Sequence, residues 1–559
     1  MQMRKILTCI AAMAASMGLL APATAQSDED ALAVLVPGGG TYSRAISTDS
    51  AEAQIFFDQG LRMAWGFYFP ESIASYQEAS RLDPEHPMPY WGLAHAAGPN
   101  PNSRYAGMPD DPQGAGLKAI RQALELANNG DERERELINA LFVLYNKDAI
   151  SDDRERDFAY VDAMRALHKK YPGDADIAAL FAESFMNTTR WDYWNADGTA
   201  KAGTAEAKAA LEASMAVEHD HPGANHLYIH LMEMSNQPEL AMPSAQKLEG
   251  SMPISGHLVH MPGHIYLRVG EYEKAIDINE RSQIVDQQFA EIWGETNLPM
   301  IGTYSLSHKS HAPHALDFVR YANMLQGNYA ESQKAAHSNA QRARQNPMAR
   351  RSQKTIAHEF ITDKVFGKWD KILADDAANS QLESPYLQGI WSYVVGSAHL
   401  AKGQTEEAQA ALAVLQEQIA APGLDDLGVG PTPASHVLNL ALHALLGEIA
   451  EANDDWDGAI LHYGHAVGYQ DNLSYTEPPD WSQSMRLYLG SALLEANRGE
   501  EAEKVFREEL EWSQQNGWAT FGLYQALEAQ GMTHEAAIAK RQFDSLWRNA
   551  DVTLERPRL

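Results

Sequence analysis

Apolar residues recur along most of this chain at intervals of three and four, the spacing that lines one face of an α-helix, while sustained alternation of apolar and polar residues is scarce. The run from Glu500 to Leu510 shows the pattern: Ala502, Val505, Phe506 and Leu510 share a face, after Leu489-Gly490 and a turn at Arg498-Gly499. Residues 52–84 follow the same two-helix plan, with Gly60, Ala79 and a stop at Asp83-Pro84. Further pairs turn near Gly270, Gly327, Gly403 and Asp454-Asp455.

A small residue followed four positions later by an aromatic one, Ala502-x3-Phe506, is the tetratricopeptide arrangement: the small residue lets paired helices approach and the ring fills the groove. Ala502 and Ala536 are 34 residues apart, one such repeat. The pattern predicts an all-α, tetratricopeptide-like helical-repeat superhelix, an α-solenoid, over residues 51–548, each helix pair burying its face on its neighbours. A polar, glycine-bearing stretch at 26–50 predicts an extended N-terminal arm, and 549–559 a C-terminal tail.

The first residues add an address. Arg4 and Lys5 precede an apolar run of 15 residues, Ile6 to Leu20, and then Ala23-Thr24-Ala25. This order predicts a Sec-type signal peptide over 1–25, a mature chain beginning at Gln26, and a periplasmic or secreted protein. The run is shorter than the roughly 20 residues that span a bilayer, so no membrane insertion is expected. Cys9, the only cysteine, lies inside the run rather than after it, which argues against a lipid anchor. Its removal leaves no thiolate, so a metal would have to use His, Asp, Glu or Met. The formal charge is −31, and losing Arg4 and Lys5 makes it more acidic. Nucleic acid, which binds a cationic footprint, is excluded as a partner.

Histidine placement changes the picture more. Ten of the 21 histidines fall within residues 219–314, where an even spread would put fewer than four. His226 and His230 are four apart, so they share a helix face. His257, His260 and His264 follow at intervals of three and four, continuous only if Pro262 does not break the helix. His226 to His260 and His230 to His264 are each 34 residues, which places the two pairs at equivalent positions of consecutive repeats. Aligning the turns at Gly270 and Gly327 sets His314 opposite His257 and Asp317 opposite His260. Packed helices lie roughly 8–10 Å apart, a gap that imidazoles on one ion can bridge. The ladder therefore predicts a transition-metal site for one or two ions, copper or zinc, with His226, His230, His257, His260, His264, His311 and His314 as ligands. His226, His230, His260 and His264 form its expected core. Glu233, three after His230, is placed as ligand, orienting group or catalytic general base.

Trp191 and Trp194, before Asp197-Gly198, form an aromatic cluster that would wall a substrate pocket or simply pack. His462 and His465 share a helix face but have no repeat-related partner, and read as structural or exposed. There is no Gly-rich phosphate loop, Gly-x-Ser-x-Gly elbow or His-Glu-x-x-His pattern.

Several blocks resemble a widespread family of large bacterial tetratricopeptide-repeat proteins: Gly92 with Gly98-Pro99-Asn100, His221-Pro222-Gly223-Ala224-Asn225-His226-x3-His230, and Gly256-His257-x2-His260-Met261-Pro262-Gly263-His264-Ile265-Tyr266. Glu477-Pro478-Pro479-Asp480-Trp481 and Asn516-Gly517-Trp518-Ala519 extend the resemblance over nearly the whole mature chain. It implies the fold and the histidine signature rather than an activity. This chain has Tyr68-Phe69 where that family often has Asn-His, and Ala312-Pro313-His314 where it often has Asn-x-His.

Two functions compete on these observations. One is a metal protein, extending to a copper-dependent oxidase or a zinc hydrolase if a coordination position lies open beside Trp191 and Trp194. The other is a periplasmic interaction scaffold that holds a peptide or partner protein in its concave groove. Catalysis itself is left open by the sequence.

Overall fold

In the computed structural model the described residues are 31–102, 112–195, 198–294, 297–298, 302–303, 308–349, 351–427 and 429–559. The expected signal peptide, Cys9 and the cleavage point at Gln26 lie outside them, as does Asp197. The described chain is a succession of antiparallel α-helix pairs, from Ala51–Trp65 and Phe69–Leu82 to Gly517–Ala529 and Thr533–Leu546. The strands described are the two-residue segments Asn297–Leu298 and Gly302–Thr303, paired antiparallel. The fold is an all-α, tetratricopeptide-like solenoid.

Local chemistry places the turns where the pattern put them. Gly270, Gly327 and Gly403 have φ of 78°, 73° and 72°, the left-handed region that ends a helix most cheaply with glycine, and Asp454 adopts φ 57°. Side chains satisfy the orphan N–H groups at helix starts: Asp131 and Glu134 form a reciprocal capping box, and Asn516 caps Gly517–Ala529. The small-residue and aromatic rule is visible at Phe506, fully buried between the backbones at Gly490 and Gly522, where an added Cβ would overlap its ring.

Buried apolar side chains form two clusters, one drawn from Ala33 to Leu325 and one from Met324 to Leu554. Residues 31–50 lie against the first without forming a helix. Gln59 receives the Val36 N–H at 2.9 Å, and Arg44 pairs with Asp174 at 3.0 Å and Asp176 at 2.9 Å. The solenoid curves far enough that distant repeats meet. Arg268 lies over the Trp512 ring at 3.7 Å, Tyr272 donates to the Gln514 carbonyl at 2.8 Å, and Gln515 donates to the Val269 carbonyl at 3.0 Å. Residues 549–559 fold back along the repeats, Asp551 accepting the Tyr329 and Ala330 N–H groups. Among the described residues no helix is long and apolar enough to cross a membrane.

Candidate metal centre

Three stretches of helix carry the histidines, and each is set by its sequence. Pro222–Met232 starts with proline, whose missing N–H is an orphan there anyway, and His221 caps it by accepting the Ala224 N–H through Nδ1 at 3.0 Å. Gly223 has no Cβ to strike Trp65, so this helix closes onto Ala51–Trp65. Gly256–His260 and Pro262–Arg268 run on as one helix: Met261 has φ −52° and ψ −38°, and its N–H donates to the His257 carbonyl at 3.0 Å. Pro262 therefore leaves His257, His260 and His264 on one side. His308–Leu325 adds His311 and His314, with Pro313 inside the helix.

The seven imidazoles form one continuous strip. Ring centroids are 4.8 Å apart for His226–His230, 4.9 Å for His226–His257, 4.7 Å for His260–His264 and 4.8 Å for His260–His314. His311 joins the halves, 5.3 Å from His257 and 4.9 Å from His260. The potential ligand atoms group as two triads, His226/His230/His257 and His260/His264/His314, each with its atoms within 4.8 Å of one another. The four residues set in one core by their 34-residue spacing are thus shared between two groups. Asp317, aligned with His260, turns instead to Arg320 at 2.5 Å and His358 at 3.2 Å.

What surrounds the strip fixes which nitrogen faces inward. His226 donates from Nδ1 to the Trp65 carbonyl at 2.6 Å, and His311 points Nδ1 at Asp286 at 2.9 Å. His260 Nδ1 meets the Asn279 Oδ1 at 2.5 Å, and Asn279 is held in that sense because its amide N–H donates to the Ala275 carbonyl at 2.7 Å. His230 Nδ1 lies 3.1 Å from one oxygen of Glu233, and the other Glu233 oxygen contacts His264 Nδ1, which also meets Glu477 at 2.8 Å. Five imidazoles therefore have Nδ1 engaged by oxygen and turn Nε2 toward the strip. His226 and His257 face each other Nε2 to Nε2 at 3.1 Å, and His260 and His264 do so at 2.8 Å. The Nε2 atoms of His230 and His311 are buried with no hydrogen-bond partner.

The signature glycines serve these outer contacts. A Cβ at Gly256 would overlap the Asp286 carboxylate, and one at Gly263 would overlap the Asn279 amide. Asp286 is fixed from its other oxygen by the Tyr68 hydroxyl at 2.9 Å, and that hydroxyl accepts the Gly256 N–H at 3.0 Å. Phe67 covers the first triad, lying parallel to His230 within 8° at 5.8 Å and 4.4 Å from His226. Phe318 packs against His260, His264 and His314 at 4.8, 4.7 and 5.1 Å.

One end of the strip carries a pair of carboxylates, Glu233 and Glu477. Burial, reinforced by the neighbouring imidazoles, holds His226, His257, His260 and His314 well below the usual histidine value. Burial also opposes charge on His264, but Glu233 and then Glu477 outweigh it and raise the ring to about 10. Burial likewise works against the Glu233 carboxylate, yet His264 and His230 bring it down to about 2. Glu477 is pushed up, by burial and then by the Glu233 charge. Tyr475 donates its hydroxyl to Glu477.

Glu233 is enclosed by the two imidazoles that it contacts and by Glu477, with which it and His264 form a third group of potential ligands. Trp194 donates its indole N–H to the Leu231 carbonyl at 2.7 Å, and Trp191 stands half-buried with φ 56°. The ring laid against the first triad is Phe67. Asn279, Asp286, Tyr68 and Glu477 were not marked by sequence spacing. Glu477 carried a signal as the first residue of the Glu-Pro-Pro-Asp-Trp block, and Tyr68 as a departure from the resembled family's Asn-His.

No protein-family model matches this chain, and no curated protein matches it. Among solved structures it is similar to a Rap protein complexed with competence and sporulation factor, at 12% identity over 62% of this chain and 93% of that one, with a TM-score of 0.31. Yeast Tom70 is 12% identical over 88% of this chain and 92% of its own, with a TM-score of 0.29. The Cut9–Hcn1 hetero-tetramer of the APC/C is 11% identical over 74% and 94%, with a TM-score of 0.23.

Proposed function

We propose that this chain is an exported metal-binding protein that holds transition-metal ions, copper or zinc, in two three-histidine groups within its solenoid. The observation that carries the reading is the common orientation of the imidazoles: oxygen acceptors engage Nδ1 of four rings and two carboxylates pair with Nδ1 of His264, while two inward Nε2 atoms, those of His230 and His311, have no partner although buried. Buried polar atoms are normally hydrogen-bonded, because an orphaned one costs about 1–3 kcal/mol. A row of inward Nε2 atoms, either orphaned or sharing one proton between two rings, is what ligation would satisfy, and an acceptor behind each ligand ring is the usual support for it.

The donor set fits the ions named. Three imidazoles with no thiolate suit zinc and copper. Zinc–nitrogen bonds of about 2.0–2.1 Å put tetrahedral donors about 3.3 Å apart, close to the 3.1 Å already between His226 and His257. His226, His230 and His257 would hold one ion; His260, His264 and His314 the other; His311, between them, could serve either. Three protein ligands leave a position for water or substrate, which permits hydrolytic or redox chemistry at a bound ion. Glu233 would orient His230 and His264 in such a centre.

Elemental analysis of protein purified without a histidine tag and reconstituted with copper or with zinc tests the reading. Two ions per chain are expected; metal well below one per chain would reject it. The scaffold reading keeps one observation of its own, an open cavity of about 590 Å³ lined by Tyr329, His337, Arg344, Glu359 and Trp391, which suits a polar peptide segment.

A further inference from the structure

A second group of histidines lies on another pair of helices. Ala434–Ala452 carries His443, and its neighbour Trp456–Asp471 carries His462 and His465, one turn apart. The helices pack closely enough that His443 Nδ1 is 3.2 Å from His462 Nδ1, and the His443 ring is 4.9 Å from that of His465. Tyr469 closes one side, its ring 5.7 Å from His443 and within 26° of parallel. His443 and His462 are half-buried and His465 is exposed, so this group opens to solvent whereas the central strip is enclosed.

Three other outlying histidines have ordinary partners: His436 donates to the Tyr469 carbonyl at 2.9 Å, His337 meets Glu359, and His399 meets Gln404. Among the described residues, the one hydrogen-bond contact of His443, His462 and His465 is the His443–His462 contact itself. Burial and neighbouring imidazoles hold His443 and His462 below the usual histidine value, which keeps their lone pairs free near neutral pH. Two nitrogens 3.2 Å apart match the separation of about 3.3 Å expected of imidazoles on one tetrahedral ion. With imidazole nitrogens as donors, the group suits zinc, copper or nickel rather than magnesium or calcium, which take oxygen.

We propose that His443 and His462, flanked by the exposed His465, form a surface site for a divalent transition cation, separate from the buried centre and exchanging directly with solution. The probe is a nickel ion held on an immobilised chelate, which a surface cluster can reach and the buried imidazoles of His226 or His260 cannot. Full-length protein without a histidine tag should be retained and eluted by imidazole. His443→Ala and His462→Ala should each shift elution toward the unretained fraction, and the exposed His465→Ala should weaken retention with little demand on folding. His534→Ala, at an exposed ring outside the group, should behave like the unmodified chain. In solution, the zinc affinity of this site should fall by an order of magnitude or more in His443→Ala, with circular dichroism unchanged. Passage of the unmodified protein without retention, or retention indifferent to all three substitutions, would overturn the site. Neither outcome depends on whether the buried centre binds metal.

Discussion

His226 and His257 stand on helices of neighbouring repeats with their Nε2 atoms 3.1 Å apart. Because His226 donates from Nδ1 to the Trp65 carbonyl, its Nε2 carries a lone pair, and the His257 Nε2–H is the donor between them. An ion that accepts both lone pairs must replace that proton, and it finds His230 Nε2 already buried and unpartnered beside it.

If each triad holds its own ion, the losses should separate. His226→Ala should remove about one ion per chain and leave the second; His260→Ala should do the same for the other; and the double variant should lose both. Elemental analysis after gel filtration reads this directly. Complete loss in either single variant would mean one shared site.

Much of this was legible in the chain, and the reasons are physical. Spacing by four fixed the shared face of His226 and His230, and spacing by 34 placed His260 and His264 on the next repeat. Spacing does not reveal which rings meet. His257 reaches back to His226 and His314 reaches across to His260, because the rungs are offset along the helices. The supporting acceptors are beyond periodicity altogether. Glu477 is 213 residues from His264 in sequence and arrives only because the solenoid brings its later repeats against the 262–272 region. His462 and His465 lacked a partner at repeat spacing, yet His443 supplies one from the preceding helix of their own pair.

The pH response follows from the opposed shifts. His226, His257, His260 and His314 titrate lower in the folded protein than in the unfolded chain, so below pH about 6.5 the unfolded chain takes up protons that the folded state refuses. Stability of the metal-free protein should fall as pH drops from there. His264, raised to about 10, contributes stability that is full below about 6.5 and is lost as pH rises through its folded value. Calorimetry should show an alkaline decline that His264→Gln removes. Loading should also release the Nε2 proton of His264 near neutral pH, seen as a dependence of binding heat on the ionisation enthalpy of the buffer.

The fold can be tested away from the histidines. Phe506 is fully buried against Gly490 and Gly522, so Phe506→Ala leaves a void that two backbones cannot readily close. The cost should be about 3–5 kcal/mol in chemical denaturation. Metal content of the variant that remains folded should be unchanged, since its helix pair does not supply a ligand.

Glu233 offers the sharpest test, because one carboxylate supports both triads unequally. One of its oxygens is the Nδ1 partner of His230, while the other shares His264 with Glu477. In Glu233→Ala, His230 loses its acceptor and becomes free to carry its proton on Nε2, where it cannot ligate. His264 keeps Glu477 behind Nδ1 and retains its orientation. Loss of an orienting partner costs about 10–100-fold in metal affinity, and that loss should fall on the His226/His230/His257 ion. Glu477→Gln leaves Glu233, the nearer carboxylate, behind His264 Nδ1 and should spare both ions. Competition against a chromogenic chelator, with helicity followed in parallel, resolves the two ions by affinity. If both variants weaken both ions equally, or neither weakens any, Glu233 does not orient the ligands, and its two contacts serve only to neutralise His264.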